Sequence, residues 1–290
     1  MVVREFPFRG KHPIAAYLGY NSRIIVRKWT RNTMADKVTI SPAPPAWDQG
    51  NLKNPHQAVD KASRVQRMFS AIAPSYDLNN HLHSLWMDHY WRRQAVRIAG
   101  VKTSDIVADI ACGTGDLSVA FHRAGPKQVI GIDFCHAMLQ GACGKNGGTT
   151  GRGISFYEGD ALRLPLQNQS VDVVSIAFGI RNVSDWGSAV DEFYRVLRPG
   201  GRLIILEFSL PGNPILRAGY NFYFRRILPR TATLISGDKT GAYKYLPESV
   251  NTFISPQQLT QRMKSAGFAD VNAASLTAGI CFCYRGIRHA

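Results

Sequence analysis

The sequence predicts an α/β fold in which helices cover both faces of a mostly parallel sheet. Three observations carry that prediction. Short apolar segments alternate with helical ones from Val65 onward, a glycine-bearing turn follows the first apolar segment, and the C-terminus carries two apolar runs joined by Thr277-Ala278-Gly279. Strands are expected near 106–111, 128–133, 154–158, 171–177 and 202–209. Strands this apolar are buried on both faces, as parallel strands joined by helices are. A helix near 187–198 places Ala189, Val190, Phe193, Val196 and Leu197 on one stripe, and Pro199-Gly200-Gly201 is expected to stop it before the fifth strand. Val271 to Leu276 and Ile280 to Tyr284 are expected to close the sheet as an antiparallel hairpin.

The turn after the first strand is the most informative stretch. The apolar run Val107 to Ala111 leads into Cys112-Gly113-Thr114-Gly115-Asp116, and Leu117, Ala120 and Phe121 then begin a helical apolar face. Glycines at 113 and 115 remove the side chains that would keep a ligand away from the backbone. Asp133 closes the second strand twenty positions after Gly113, where a carboxylate can accept two hydrogen bonds from a ribose. That combination reads as nucleoside binding. A dinucleotide site wants a third glycine and a free helix N-terminus for its pyrophosphate. Here Asp116, Leu117 and Ser118 follow Gly115, so an anion would meet Asp116. S-adenosyl-L-methionine has no phosphate and carries a sulfonium cation, so it is the ligand this turn favours. After the third strand, Asp160-Ala161 is placed to accept from an adenine amino group, with helix capping as the competing role for Asp160.

Composition sets the outer bounds. The 290 residues suffice for one large domain plus an appendage. No apolar run reaches the ~18 residues of a membrane span. The five cysteines include no C-x-x-C pair, which argues against a disulfide framework or a zinc site, and no metal is expected. Cys281 and Cys283 fall on one face of a strand and read as small core residues. Residues 1–33 carry +6 of the formal +15 charge, leaving +9 for the rest, and a Pro-rich stretch from Ser41 to Gly50 follows. Residues 1–60 therefore read as a basic, Pro-rich, disordered extension and residues 61–290 as the folded domain. Two readings of the leader compete: a mitochondrial transit peptide, or a translated upstream region with Met34 as the start, the second being preferred. The first implies the mitochondrial matrix. The second implies the cytoplasm, peripheral at the inner face of the membrane.

Several longer stretches carry a family resemblance. They are Phe69-Ser70-Ala71-Ile72-Ala73-Pro74-Ser75-Tyr76-Asp77, Gly113-Thr114-Gly115-Asp116, Phe178-Gly179-Ile180-Arg181-Asn182-Val183, Tyr194 to Gly201, Leu206 to Ser209, Tyr245-Leu246-Pro247-Glu248-Ser249 and Leu276 to Ile280. From about Val65 to the C-terminus the chain resembles the C-methyltransferase family that finishes menaquinone and ubiquinone rings. The glycine turn is common to many methyltransferases, whereas Phe-Gly-Ile-Arg-Asn-Val and Tyr-Leu-Pro-Glu-Ser are far more specific. The resemblance implies a seven-stranded class I methyltransferase fold of Rossmann type with an N-terminal helical lid, S-adenosyl-L-methionine as donor and a prenylated hydroquinone as acceptor. It places cofactor contacts on Thr114, Asp133, Asp160 and the Ala161 backbone, joining the turn glycines Gly113 and Gly115 and the position of Ala177 as the expected cofactor site. Ala177 stands where relatives often have serine, so no hydroxyl contact is expected there. The stretch from Ile72 to Leu82 looks more like the naphthoquinol branch, with a benzoquinol as runner-up.

C-methylation of a hydroquinol needs orientation, removal of a phenolic proton and exclusion of water, without a covalent enzyme intermediate. Arg181 can stabilise a developing phenolate and Asn182 can hold a ring oxygen, both lying after the fourth strand; a structural ion pair is the competing role for Arg181. Tyr76 and Asp77 belong to the lid, with Asp77 a candidate proton acceptor. His81, His83 and His89 read as packing or surface residues. The segment 214–230 carries Leu216, Tyr220, Tyr223, Phe224, Ile227 and Leu228 at helical spacing among arginines, and it suits a tail channel, a peripheral membrane contact or a cap on the sheet. A nucleic-acid partner is not expected: the Asp/Asn-Pro-Pro-aromatic signature of amino-methylating enzymes is absent after the fourth strand, and no cysteine follows a proline to act as a base-attacking nucleophile. A cofactor-binding protein without catalysis and a homo-oligomer both remain compatible with the sequence.

Overall fold

The computed structural model describes residues 45–48, 50, 52–145 and 153–289. Three helices come first, α1 (Lys61–Ile72), α2 (Tyr76–His83) and α3 (Met87–Ala99). The alternating region follows as β1 (Ile106–Ile110), α4 (Asp116–Arg123), β2 (Gln128–Asp133), α5 (His136–Lys145), β3 (Ile154–Glu158), β4 (Val171–Ala177), α6 (Trp186–Val196) and β5 (Leu197–Phe208). A helical cap, α7 (Pro214–Phe222), continues through a π-helical stretch (Tyr223–Ile227) into α8 (Leu228–Ser236). Then come α9 (Ala242–Asn251), α10 (Pro256–Ser265), β6 (Phe268–Leu276) and β7 (Cys281–Arg288).

The strands form one seven-stranded sheet in the order β3-β2-β1-β4-β5-β7-β6. The first five run parallel, while β7 pairs antiparallel with both β5 and β6. All five residues of β1 are buried, as a central strand with helices on both faces requires. The core is split by the sheet. Ile110, Ile132, Phe193 and Met263 pack on one face; Trp91, Phe121, Phe156 and Leu206 pack on the other. Cys281 and Cys283 point to the second face, and burial pushes the Cys283 thiol up to about 12, so both are inert packing groups.

Two boundaries differ from the sequence expectations. The Pro199-Gly200-Gly201 turn does not separate helix from strand: α6 ends at Val196, and the turn lies inside β5. Register jumps there from Val171↔Leu197 to Val173↔Arg202, so the strand bulges where proline has no N–H to give the ladder. Nor is the part of the extension nearest the domain detached from it. Ala46 and Trp47 are buried; the Trp47 N–H donates to the Thr240 carbonyl at 3.0 Å, and its ring stacks on Tyr245 at 4.4 Å. Residues 1–44, which include the leader and Met34, lie outside the described residues.

The lid sits over the C-terminal ends of the parallel strands. In α1, Val65, Met68 and Ile72 share one face and are buried, giving a stripe that packs with Trp47, Met138, Phe224, Leu228 and Tyr245. This third core ties α1 to α5, the cap and α9, and so roofs the strand ends where ligands of open α/β sheets bind.

Candidate functional site

The site begins at the end of β1. Ala111, Gly113 and Gly115 all have positive φ (50°, 57° and 83°), which folds the turn tightly back before α4. The Cys112 N–H donates to Ile132 O at 3.1 Å, and the Gly113 N–H donates to Asp133 Oδ2 at 2.8 Å. Asp133 Oδ1 accepts from the Cys135 N–H at 2.8 Å. The carboxylate is thus aimed by two backbone donors. Burial outweighs them and pushes its pKa up to about 6.

A cavity opens beyond these strand ends, lined by Gly113, Asp133, Phe134, Asp160, Ala161 and Ala177, with Asn182 and Tyr76 on its wall. The predicted cofactor positions Gly113, Asp133, Asp160, Ala161 and Ala177 are therefore brought together. Asp160 caps no helix: its Oδ1 accepts from the Leu162 N–H at 2.9 Å within a turn, and no helix lies between β3 and β4. Thr114 and Gly115 do not line this cavity. The Thr114 hydroxyl donates to Asp77 Oδ1 at 2.5 Å and receives Lys145 Nζ at 3.2 Å, while the Gly115 N–H closes the turn onto Cys112 O at 2.9 Å. These two shape the turn instead of touching the ligand space.

A second, larger cavity of about 350 Å³ adjoins the first and is mostly apolar. Its walls come from α1, α3, the end of β5, the cap and α9 through residues such as Met68, Trp91, Phe208, Phe224 and Tyr243. Phe69, Tyr76 and Phe178 line both cavities and mark where they meet. Phe178 is held there by a left-handed backbone (φ 56°), with its ring stacked on Phe208 at 4.4 Å and edge-on to Trp91 at 5.9 Å. Gly179 permits this, since a Cβ on it would lie 2.7 Å from Ala111 Cβ. Burial pushes the Tyr76 hydroxyl above its usual range, so it stays a neutral phenol at the junction.

Arg181 lines the second cavity and is 5% exposed. Its Nη1 pairs with Glu207 Oε1 at 2.5 Å and donates to Phe178 O at 2.8 Å, and its guanidinium lies 5.4 Å from the Phe208 ring. The competing role, a buried ion pair, is thus fulfilled alongside cavity lining. Nη2 has no partner among the described residues. Asn182 departs from expectation. It lines the first cavity, its Oδ1 accepts from Tyr245 OH at 2.8 Å, and its Nδ2 donates to Phe178 O at 3.2 Å, so it braces the turn after β4 and is not placed to hold the acceptor ring. Asp77 departs as well, lining neither cavity. It is taken up by Thr114 and by Lys145 Nζ at 2.7 Å, which latches α2 to the glycine turn and leaves no proton-accepting role facing the acceptor space.

His81 and His89 pack against each other, whereas His83 packs and also lines the second cavity. The His81 ring meets Asp88 Oδ2 at 2.8 Å and stacks on His89 at 4.4 Å; His83 Nδ1 donates to Asn79 O at 2.8 Å, and its Nε2 pairs with Thr231 Oγ1 at 2.8 Å. Sequence reasoning gave no role to Lys61. It is 2% exposed, and its Nζ donates to the carbonyls of Arg181 (2.8 Å) and Val183 (2.7 Å), fastening α1 to the turn that carries Arg181. Burial pulls its pKa down to about 8. Among α1 positions Lys61 lies on the buried stripe with Val65, and a lysine on an apolar stripe was the available signal.

A carboxylate-rimmed cavity against the ends of β1 to β4, a sheet ending in an antiparallel hairpin and an adjoining apolar cavity define the class I methyltransferase architecture. A solved S-adenosylmethionine-dependent methyltransferase from Thermotoga maritima, described as a possible histamine N-methyltransferase, shares this fold (TM-score 0.53, 21% identity, 77% of this chain and 99% of that one). Residues 57–288 match the ubiE/COQ5 methyltransferase family, and the chain belongs to it. Among relatives, a demethylmenaquinone methyltransferase of Deinococcus radiodurans is 44% identical over 222 residues, 76% of this chain and 91% of that protein. A ubiquinone/menaquinone biosynthesis C-methyltransferase of Bdellovibrio bacteriovorus is 40% identical over 224 residues, 77% of this chain and 94% of that protein.

Proposed function

We propose that this protein transfers a methyl group from S-adenosyl-L-methionine to a ring carbon of a prenylated hydroquinone, with demethylmenaquinol as the acceptor. The observation that carries this reading is the meeting of two unlike cavities at Phe69, Tyr76 and Phe178: one rimmed by carboxylates, the other mostly apolar, with the guanidinium of Arg181 and the Asp88-paired guanidinium of Arg92 on its wall. The first fits the donor. Asp133 would hold the ribose, Asp160 the adenine amino group, and Phe134 and Met138 would flank the base, with no cationic side chain on the lining to oppose a sulfonium.

Bound S-adenosyl-L-methionine supplies an electrophilic methyl group. The residues of this chain prepare the acceptor. Loss of a phenolic proton raises electron density on the adjacent ring carbon, and Arg181 offsets the oxygen's developing charge through the guanidinium edge that Glu207 leaves free. The stacked rings of Phe178 and Phe208, with Trp91 edge-on to both, would give the quinol ring an aromatic wall, and the α1 and cap helices would limit water at the junction. The ring C–CH3 bond would form as the donor's S–CH3 bond breaks, leaving S-adenosylhomocysteine; the ring proton then passes to solvent through the cavity mouth, the phenolic oxygen regains a proton by the same route, aromaticity returns and the methylated quinol is released.

The test is a competition assay. The protein is given labelled S-adenosyl-L-methionine with prenylated naphthoquinol and benzoquinol under reducing conditions. Preferential label in the naphthoquinol supports the assignment; preferential label in the benzoquinol moves it to ubiquinone formation, and label in neither removes the quinol reading.

A further inference from the structure

The helical cap has two apolar sides, and the donor and acceptor cavities account for only one. Tyr220, Tyr223, Phe224 and Leu228 line the acceptor cavity from within. On the outside, Ile215 (80% exposed), Leu216 (51%), Phe222 (64%) and Leu234 (85%) face solvent. A helix that only covered a sheet would carry polar residues there. Isolated exposed apolar residues are ordinary, but this face continues onto a neighbouring element. Helix α2 packs beside α8 through His83 and Thr231, and the Tyr223 hydroxyl donates to His83 O at 3.1 Å. Helix α2 and the turn after it expose Leu78 (58%), Leu85 (76%) and Trp86 (56%).

Charge identifies the occupant. Residues 212–237 hold Arg217, Arg225, Arg226 and Arg230 and no acidic residue. Arg225 pairs with Glu248 at 3.0 Å, while Arg217, Arg226 and Arg230 are exposed with no partner among the described residues. A second copy of the chain on this face would set unpaired arginines against their own counterparts across a two-fold axis. An anionic bilayer surface meets both features, since arginines find lipid phosphates while the apolar side chains and Trp86 enter the interfacial layer.

We propose that the outer face of α7 and α8, together with Leu78, Leu85 and Trp86, docks on an anionic phospholipid surface. The cavity whose inner wall the same cap forms then stands against the bilayer, where a prenylated acceptor resides. This rests on the acceptor reading above in supplying the reason for docking; the surface itself is defined by exposure and charge.

The experiment is flotation of the full chain with phosphatidylcholine vesicles, with and without phosphatidylglycerol, beside a methyl-transfer assay on detergent-solubilised quinol. The protein is expected to float with the anionic vesicles and to be released by salt. Ile215→Ser/Phe222→Ser/Leu234→Ser, all outside both cavities, is expected to reduce the bound fraction about tenfold, in line with the apolar area lost, while leaving transfer to solubilised quinol unchanged. Arg217→Ser/Arg226→Ser/Arg230→Ser is expected to abolish the preference for anionic vesicles. Wild type that stays unbound, a serine triple that floats like wild type, or a serine triple that instead splits a dimer in sedimentation each overturns the proposal. Flotation without methyl transfer to any quinol removes the acceptor reading and leaves the surface standing; transfer without flotation does the reverse.

Discussion

Two acidic residues decide how this site behaves. Asp133 is held by the Gly113 and Cys135 amides and has its pKa raised to about 6 by burial. In the proposed binding mode ribose hydroxyls donate to the ionised carboxylate, so protonation removes an acceptor, and donor affinity should be full about one unit above that pKa and fall as pH drops through it. Calorimetric titration of S-adenosylhomocysteine between pH 7.5 and 5, on the order of one unit either side of that pKa, checks the sign; an affinity that rises on acidification contradicts it. Glu207 is 1% exposed and neutralises Arg181. Glu207→Gln leaves a buried cation without its partner and should cost about 3–5 kcal/mol in urea unfolding, with methyl transfer falling as well. Asp133 and Asp160 were legible because strand ends and loop spacing fix where they stand. The roles of Asp77 and Asn182 were not, because they depend on contacts across 37 and 63 positions, with Thr114 and Tyr245.

At the scale of elements, the parallel strands were legible because each is an apolar run bounded by turn residues. What escaped was register and docking. Pro199-Gly200-Gly201 has the composition of a helix stop, and only pairing with β4 shows that it is a bulge within β5. Trp47 sits in a Pro-rich stretch that reads as unstructured, and the contacts that hold it, with Tyr245 and Thr240, lie far along the chain. Trp47→Ala should therefore cost about 3–5 kcal/mol of domain stability, an outcome that a detached extension would not show. Two left-handed glycines separate strain from sterics. An added Cβ at Gly100 (φ 57°) meets nothing within 4 Å, whereas at Gly241 (φ 83°) it lies 2.3 Å from Trp47 O. Gly100→Ala should cost about 1–2 kcal/mol and Gly241→Ala about 1–3 kcal/mol more, read from the same thermal or urea transitions. Equal losses would mean that Trp47 does not rest on this turn in solution.

Across the whole molecule, the sheet presents strand ends to the proposed donor cavity, and helices α1 to α3 with the cap and α9 build the acceptor space. Lys61 couples the two by binding α1 to the turn of Arg181 and Val183. Lys61→Met keeps the bulk and removes the two hydrogen bonds, so it should lower methyl transfer more than donor affinity, because the first cavity keeps Asp133 while the Arg181 turn loses its anchor. Among the described residues no helix is long and apolar enough to cross a membrane. The central claim is that the methyl group passes at the junction of the two cavities to a ring carbon of a quinol. Its most direct test uses S-adenosyl-L-methionine bearing a deuterated methyl group and prenylated naphthoquinol under reducing conditions, with the product's label located by NMR. The account predicts one labelled methyl on the free ring carbon beside a phenolic oxygen, and its loss in Arg181→Ala. Label on the phenolic oxygen, or none in the quinol while the donor still binds, would contradict it.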